Sequence, residues 1–372
     1  MPAPALRTAR RVTALVGALA ALVLVVSCGR PSSLDPIDNS AAYARFNAMS
    51  GQSRHDTLVR EAKKEGSVIV YTTSDAVSDI VAPAFEKKYG ITVSVYRATT
   101  ETLRQRILQE ADAGRPLNDV VETNDIEMAI LNQKHLLGAY RPDVPGVDTR
   151  ARLPFMTGAY FIATLPVHNS RLVKSADAPR QLSDLADPRW KGKIALEQND
   201  DNWYLSVYRY FHQHGMSDAD FTTMMKGIAA NARPVSGHLT SHDLLKSGQY
   251  AVFVTDFLHY VTGQAPGAVD YKPAVGPVNL QVLGAVPMRG AEHPAAATLW
   301  SDFYLTDAQP LLNNVSGIPT NPSAIPGYRA PLAADDEVVE DWQTLLTSGP
   351  AWSAAYDNLL SGKGPVLPKG AS

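Results

Sequence analysis

Residues 66–131 read GSVIVYTTSDAVSDIVAPAFEKKYGITVSVYRATTETLRQRILQEADAGRPLNDVVETNDIEMAIL. Their rhythm decides the fold. Ser67–Thr72 (SVIVYT) is a short apolar run rich in β-branched residues, the pattern of a buried strand. Val77, Ile80, Val81, Ala84 and Phe85 then recur at alternating spacings of three and one, which lines up one helical face. Pro83 inside that stripe requires a kink or a later helix start. Ile91–Tyr96 alternates as a second strand. Thr100 can cap a helix that carries Leu103, Ile107, Leu108 and Ala111 and ends at Gly114. Asp119–Glu122 is a short third strand, and Ile126–Leu131 begins another helix. Strand, helix, strand, helix, strand at this spacing predicts an α/β fold built on a mainly parallel sheet.

The pattern extends in both directions. Upstream, residues 55–65 place Leu58, Val59 and Ala62 on one helical face, with Gly66 as a stop. Downstream, Tyr160–Val167, Lys193–Leu196, Tyr250–Thr255 and Gln281–Met288 read as strands. Residues 202–213 and 218–230 read as helices, the second opened by Ser217 with Asp220 three residues on. Ala295–Leu305 is a helix with Trp300, Phe303 and Tyr304 on it.

The first residues carry an address. Arg7, Arg10 and Arg11 form a basic start, followed by an apolar run from Val12 to Val26. That run is shorter than the roughly 20 residues needed to span a bilayer, and reads as a secretory signal. It ends Val25-Val26-Ser27-Cys28-Gly29, which resembles a bacterial lipobox, where the thiol accepts an acyl chain such as palmitate. The plainer alternative is a chance cysteine in an ordinary signal peptide. The expected organisation is a signal peptide over residues 1–27 and a flexible tether over 28–53, rich in Ser, Pro, Asn and Ala. The protein would then sit at the outer face of the cytoplasmic membrane or in the periplasm, anchored through Cys28. Cys28 is the sole cysteine, so no internal disulfide can form.

Composition removes several function classes. The net charge is −3 with charges spread along the chain, so no basic block suggests nucleic acid. No HExxH, GxSxG, Walker loop or GxGxxG motif occurs, and no enzyme activity, cofactor or metal is expected. His238 with His242, and His212 with His214, have spacings that metal ligands can show, but read as solvent-facing histidines. Asp335-Asp336-Glu337 with Glu340 and Asp341 reads as the solvated start of a helix.

A longer set of residues resembles a known family. Glu61–Thr72 (EAKKEGSVIVYT), Phe85–Ile91 (FEKKYGI), Leu103–Gly114 (LRQRILQEADAG) and Asp119-Val120-Val121 open the match. Asp177-Ala178-Pro179, Leu182–Leu185, Asp187-Pro188 and Trp190–Leu196 (WKGKIAL) are its most specific part. Ser247–Ala251, His293–Ala297 and Ser316–Pro319 complete it. In order and spacing these are similar to the extracellular solute-binding proteins of ABC importers, in the branch that contains the ferric-ion-binding proteins. The resemblance implies a two-lobed periplasmic-binding-protein-like fold of type II, with the ligand in a cleft at the hinge. Lobe 1 would comprise residues 54–165 plus 286–335, and lobe 2 residues 166–285 plus 336–368.

In open α/β sheets ligands sit beyond the carboxyl ends of the strands. That rule selects Thr72, Thr73, Ser74 and Asp75 after the first strand, Thr99 and Thr100 after the second, and Thr123 and Asn124 after the third. Their hydroxyls, amides and helix-start N–H groups suit an anionic or zwitterionic ligand, or serve simply as helix caps. The matching loops of the second lobe offer Asn199, Asp200, Trp203, Ser236, Gly237 and Asp256. Trp203 can stack on a ligand or simply pack; Asp200 can meet a cationic group or start a helix. The ferric-binding relatives place two adjacent tyrosines after the strand that matches Tyr250–Thr255, where this chain has Phe257-Leu258. Some relatives also use a histidine where this chain has Ser74-Asp75, and a glutamate where it has Asn124. Tyr260 is one phenol nearby, not two. The expectation is a monomeric, lipid-anchored receptor that hands a small polar organic solute to an ABC permease. The alternatives are a ferric-iron receptor, a ligand-sensing module for a membrane signalling protein, or a cleft enzyme such as an esterase.

Overall fold

The computed structural model of the protein describes residues 37–263, 267–313, 315–332 and 337–371. The expected signal segment and Cys28 lie outside these residues. Among the described residues no helix is long and apolar enough to cross a membrane.

The chain enters through α1 (Ser40–Asn47) and α2 (Gly51–Glu65), so residues 40–53 of the expected tether are mostly helical, while residues 28–36 lie outside the described residues. Tyr43 and Phe46, three apart on α1, are each 1% exposed, and the Tyr43 hydroxyl donates to the Met288 carbonyl at 2.7 Å. Two aromatics on one face suffice to dock a two-turn helix, although the Ser, Asn and Ala around them show no obvious period. On α2, Leu58 and Ala62 are buried, and Arg54 forms a buried ion pair with Asp302, which also accepts the Tyr140 hydroxyl at 2.7 Å.

The predicted alternation then unfolds as read. β1 (Ser67–Thr72) leads into a π-helical turn at Val77–Val81 that continues as α3 (Ala82–Tyr89). Pro83 falls in the first turn of α3, at its junction with the π-helical turn. β2 (Thr92–Arg97), α4 (Thr100–Asp112), β3 (Val120–Asn124) and α5 (Asp125–Gln133) follow. β1 lies between β2 and β3, parallel to both, with Val70 opposite Val95 and Val120.

A two-residue hairpin, β4 (Arg152–Leu153) and β5 (Met156–Thr157), precedes the long β6 (Tyr160–Asn169). β7 (Ile194–Glu197), α6 (Asp201–Gln213), α7 (Asp218–Asn231), β8 (Ala232–Val235), α8 (His238–Ser247) and β9 (Val252–Phe257) build the second half. The short α9 (Leu258–Thr262) and β10 (Val269–Asp270) lead to a second long strand, β11 (Val278–Pro287). α10 (Pro294–Tyr304), α11 (Gln309–Leu312), β12 (Ile318–Pro319), β13 (Glu337–Val339) and α12 (Trp342–Ser361) complete the chain. α12 carries Gly349 and Pro350 within it, which is why its apolar pattern does not announce a helix in the sequence. Of the acidic run, Glu337 and Glu340 are not a solvated helix start, since Glu337–Val339 pairs with β11 and Glu340 is 4% exposed, whereas Asp341 caps α12 by accepting the Thr344 N–H; Asp335 and Asp336 lie outside the described residues.

The strands form a sheet in the order β2-β1-β3-β11-β6-β9-β7-β8. The outer groups are parallel, while β11 and β6 run antiparallel to each other and join the two groups. Two apolar cores result. One gathers Phe85, Trp300, Phe303 and Tyr304 beside β1–β3; the other gathers Trp203, Tyr204, Phe221, Trp352 and Tyr356 beside β7–β9. This is a two-lobed α/β architecture, as the sequence leads one to expect.

The buried face of α1 generates a prediction. Phe46→Ala lowers the unfolding free energy measured in urea by about 3–5 kcal/mol, the cost of truncating a core phenylalanine. A flexible tether would leave stability within about 0.5 kcal/mol of the parent.

Candidate ligand cleft

The carboxyl ends of β1, β2 and β3 open on a cavity of about 460 Å³, of the size that small-molecule sites have. From this side it is lined by Thr73, Ser74 and Asp75 after β1, Arg97 at the end of β2, Thr100 at the start of α4, and Asn124 at the end of β3. Tyr160 and Ile162 of β6 and Gln281 and Leu283 of β11 form its floor. Phe257, His259 and Tyr260 close it from the β9 side, and Ser316 adds a hydroxyl.

The expected residues divide accordingly. Thr73, Ser74, Asp75, Thr100 and Asn124 are brought together around the cavity. Thr72 is buried beneath it, with its hydroxyl donating to Glu122 Oε2 at 2.5 Å and accepting the Ser74 N–H at 3.0 Å. Thr99 caps α4 by accepting the Thr102 N–H at 3.4 Å. Asn124 both lines the cavity and caps α5, accepting the Glu127 N–H at 3.0 Å. Thr123, 2% exposed, faces the side of β3 opposite Asn124, because successive strand residues face opposite sides.

None of the six residues expected from the second lobe lines this cavity. Trp203 lies on the inner face of α6, 1% exposed, and is core. Asp256 is fully buried and holds His242 Nδ1 at 2.7 Å. Asp200 is buried and holds His238 Nε2 at 3.2 Å. Asn199 lines a separate surface hollow. Ser236 and Gly237 are exposed, and the Gly237 N–H donates to Glu197 Oε1 at 3.0 Å. His238 and His242 are therefore not solvent-facing, while His212 and His214 are exposed. Sequence reasoning missed Arg97, Tyr160, His259, Gln281 and Ser316. Arg97 was within reach of the strand-end rule; Gln281 is the lone amide between Leu280 and Val282; nothing local marks the others.

Glu122 organises the floor. It is fully buried and accepts from the Thr72 hydroxyl, the Thr73 N–H (3.3 Å) and the Tyr160 hydroxyl (2.7 Å). Burial raises its pKa, and these bonds counter that only in part. At the rim, Arg97 Nε meets Asp75 Oδ1 at 2.9 Å, an exposed pair worth at most about 1 kcal/mol. Burial pushes Tyr260 up to about 12, so its phenol keeps its proton at neutral pH. Burial pushes His259 down to about 4, helped by the charges of His238 and His242, so its imidazole is neutral. Among the described residues no group of three or more His, Cys, Asp or Glu side chains is placed to hold a metal ion.

His238 differs from His259. Burial lowers its pKa, but the charge and hydrogen bond of Asp200, with Glu197 and Asp256, outweigh that and raise it. Its imidazole ring stacks on Phe257 with ring centroids 3.8 Å apart. A histidine with a raised folded pKa stabilises the fold below about 6.5, and this is lost as pH rises through the folded pKa. Asp200→Asn is therefore expected to lower the melting temperature more at mildly acidic pH than at alkaline pH, measured by differential scanning calorimetry.

A model of the bacterial extracellular solute-binding protein family matches residues 137–332. No curated protein sequence matches the chain. Among solved structures, iron-bound HitA from Pseudomonas aeruginosa is 18% identical with a TM-score of 0.61, covering 78% of this chain and 99% of HitA. The open ferric iron-binding protein A of Mannheimia haemolytica is 17% identical with a TM-score of 0.60, over 80% of this chain and 98% of its own. AfuA from Actinobacillus pleuropneumoniae, bound to fructose-6-phosphate, is 19% identical with a TM-score of 0.59, over 80% and 97%. At these identities the likeness is one of fold, whereas the family match spans more than half of the chain. The protein belongs to the bacterial extracellular solute-binding proteins.

Proposed function

We propose that the cleft captures a small organic anion or zwitterion and that the protein delivers it to an ABC permease, binding without chemistry. The carrying observation is the convergence of strand-end hydroxyls, the starts of α4 and α5 and the Arg97 guanidinium on one cavity. Helix-start N–H groups and a guanidinium favour negative charge, and Ser, Thr and Asn side chains suit a polar organic body. We further propose that the protein is exported, anchored through Cys28 and monomeric. The lobes we propose follow the division 54–165 plus 286–335 and 166–285 plus 336–368, with hinge closure around the solute.

Ferric iron is the less favoured cargo. The position of the relatives' tyrosine pair holds Phe257 and Leu258, and Leu258 is 2% exposed and apolar. Tyr260 supplies one phenol to the cavity, where the ferric-binding relatives are expected to have two. Solved neighbours of this fold include an iron-bound protein and a fructose-6-phosphate complex, so the scaffold itself is compatible with either cargo.

The test is a thermal-shift screen of the full chain in detergent micelles. The probes are methylphosphonate, fructose 6-phosphate, thiamine, spermidine and ferric citrate. A specific organic anion or zwitterion at 100-fold excess over its Kd adds about 2.7 kcal/mol of stability. Arg97→Ala is expected to weaken an anionic hit roughly 10- to 100-fold, the loss of one charge-assisted contact. A tyrosinate-to-iron colour with ferric citrate, and no organic hit, would overturn the proposal.

A further inference from the structure

Glu340 stands where the two cores meet the crossing strands. It follows β13, is 4% exposed, and its N–H donates to the Leu280 carbonyl at 3.0 Å. Its Oε1 accepts Asn279 Nδ2 from β11 at 2.8 Å and Asn202 Nδ2 from α6 at 2.5 Å. Its Oε2 accepts Gln281 Nε2 at 3.2 Å. Three primary amides thus converge on one buried carboxylate, and among the described residues no cation pairs with it. Asn279 and Gln281 are two apart on β11 and share a face. Gln281 also lines the cleft. Its nitrogen is tied to Glu340, whereas its carbonyl oxygen accepts no hydrogen bond among the described residues.

We propose that Glu340 is a positioning residue of the cleft: it holds the Gln281 amide so that its carbonyl oxygen faces the solute, selecting solutes that bring an N–H or O–H donor to that point. This rests on the cavity being the solute site. An anion that also carries hydroxyl or ammonium groups satisfies both Arg97 and Gln281; sulfate satisfies only Arg97. A carboxylate has no donor, so in its ionised form Glu340 fixes which end of each amide it meets. A neutral carboxyl has an O–H that can donate, and Gln281 is then free to turn over.

The surroundings set the pH at which this orientation locks. Burial pushes Glu340 up, the three amides pull it down and the Asp200 charge pushes it up again, to about 7. From α5, Asp125 faces it; burial and the Glu340 charge raise that carboxyl well above the ordinary range. Just before α6, Asp200 is engaged by His238; on α6, burial raises the half-buried Asp201 to about 6, and Arg209 is occupied by Asp341 at the start of α12. Glu337 on β13 is paired with Arg150. β11 contributes amides alone.

The experiment is nuclear magnetic resonance of the full chain, labelled at glutamate carboxyl carbons and glutamine side-chain nitrogens, with no solute added. One carboxyl signal and the Gln281 amide signal are expected to move together as pH is raised through about 7. Gln281→Ala identifies the amide signal, Glu340→Gln abolishes the joint titration, and Glu340→Asp retains it. A Gln281 amide signal that is the same across about pH 5 to 9 and is also left unchanged by Glu340→Gln overturns the proposal. Because no solute is present, failure here is distinct from failure of the proposed cargo class.

Discussion

β6 and β11 pair antiparallel from Thr164 opposite Asn279 to Tyr160 opposite Leu283. On its far edge β11 then pairs with β3 through Val120–Asn124, while β6 pairs with β9 through Val252–Phe257. These two strands are therefore the shared wall between two cores that otherwise fold around separate helices. Each is ten residues long, about twice the usual strand, because each must serve both lobes. The cleft lies against this wall, and its floor residues Tyr160, Ile162, Gln281 and Leu283 come from the wall itself.

That placement explains the chemistry of the floor. A residue on a shared strand is covered from both sides, so its polar groups need partners within the protein. Glu122 supplies them for Tyr160 and the Thr72–Thr73 turn, and Glu340 supplies them for Gln281, Asn279 and Asn202. Both carboxylates are buried without a cationic partner among the described residues, and both are raised by burial. They are costly to keep ionised, and what they provide is fixed orientation of the groups above them. Gly317 fits the same constraint: a side chain there would collide with the Phe161 carbonyl of β6, so only glycine lets the Ser316 loop close on the cleft.

The rim is built differently. Arg97 and Asp75 are exposed and adjustable, and His259 and Tyr260 are neutral at pH 7. Charge at the rim and fixed amides at the floor divide the tasks of attraction and discrimination. Family membership makes the protein an extracellular solute-binding protein; Phe257-Leu258, standing where the resemblance implies a tyrosine pair in ferric-binding relatives, supports the organic cargo we propose.

How much of this was legible beforehand depended on whether the signal was local. The strand–helix alternation from Ser67 to Leu131 rests on periodicity and on glycine stops at Gly66 and Gly114, so the sequence alone determined it. The same locality made Thr73, Ser74, Asp75, Thr100 and Asn124 readable, since strand ends are visible in the chain. The second-lobe residues were not readable in this way. Whether Trp203 faces a cleft or a core depends on which side of α6 meets α12, and no local pattern carries that. α1 hid its packing in two aromatics, α12 hid its helix behind Pro350, and Glu340 passed for part of a solvated acidic run. Only the tertiary structure decided that Glu340 meets Gln281 some sixty residues away in sequence, because long-range pairing of β11 with β13 brings them together.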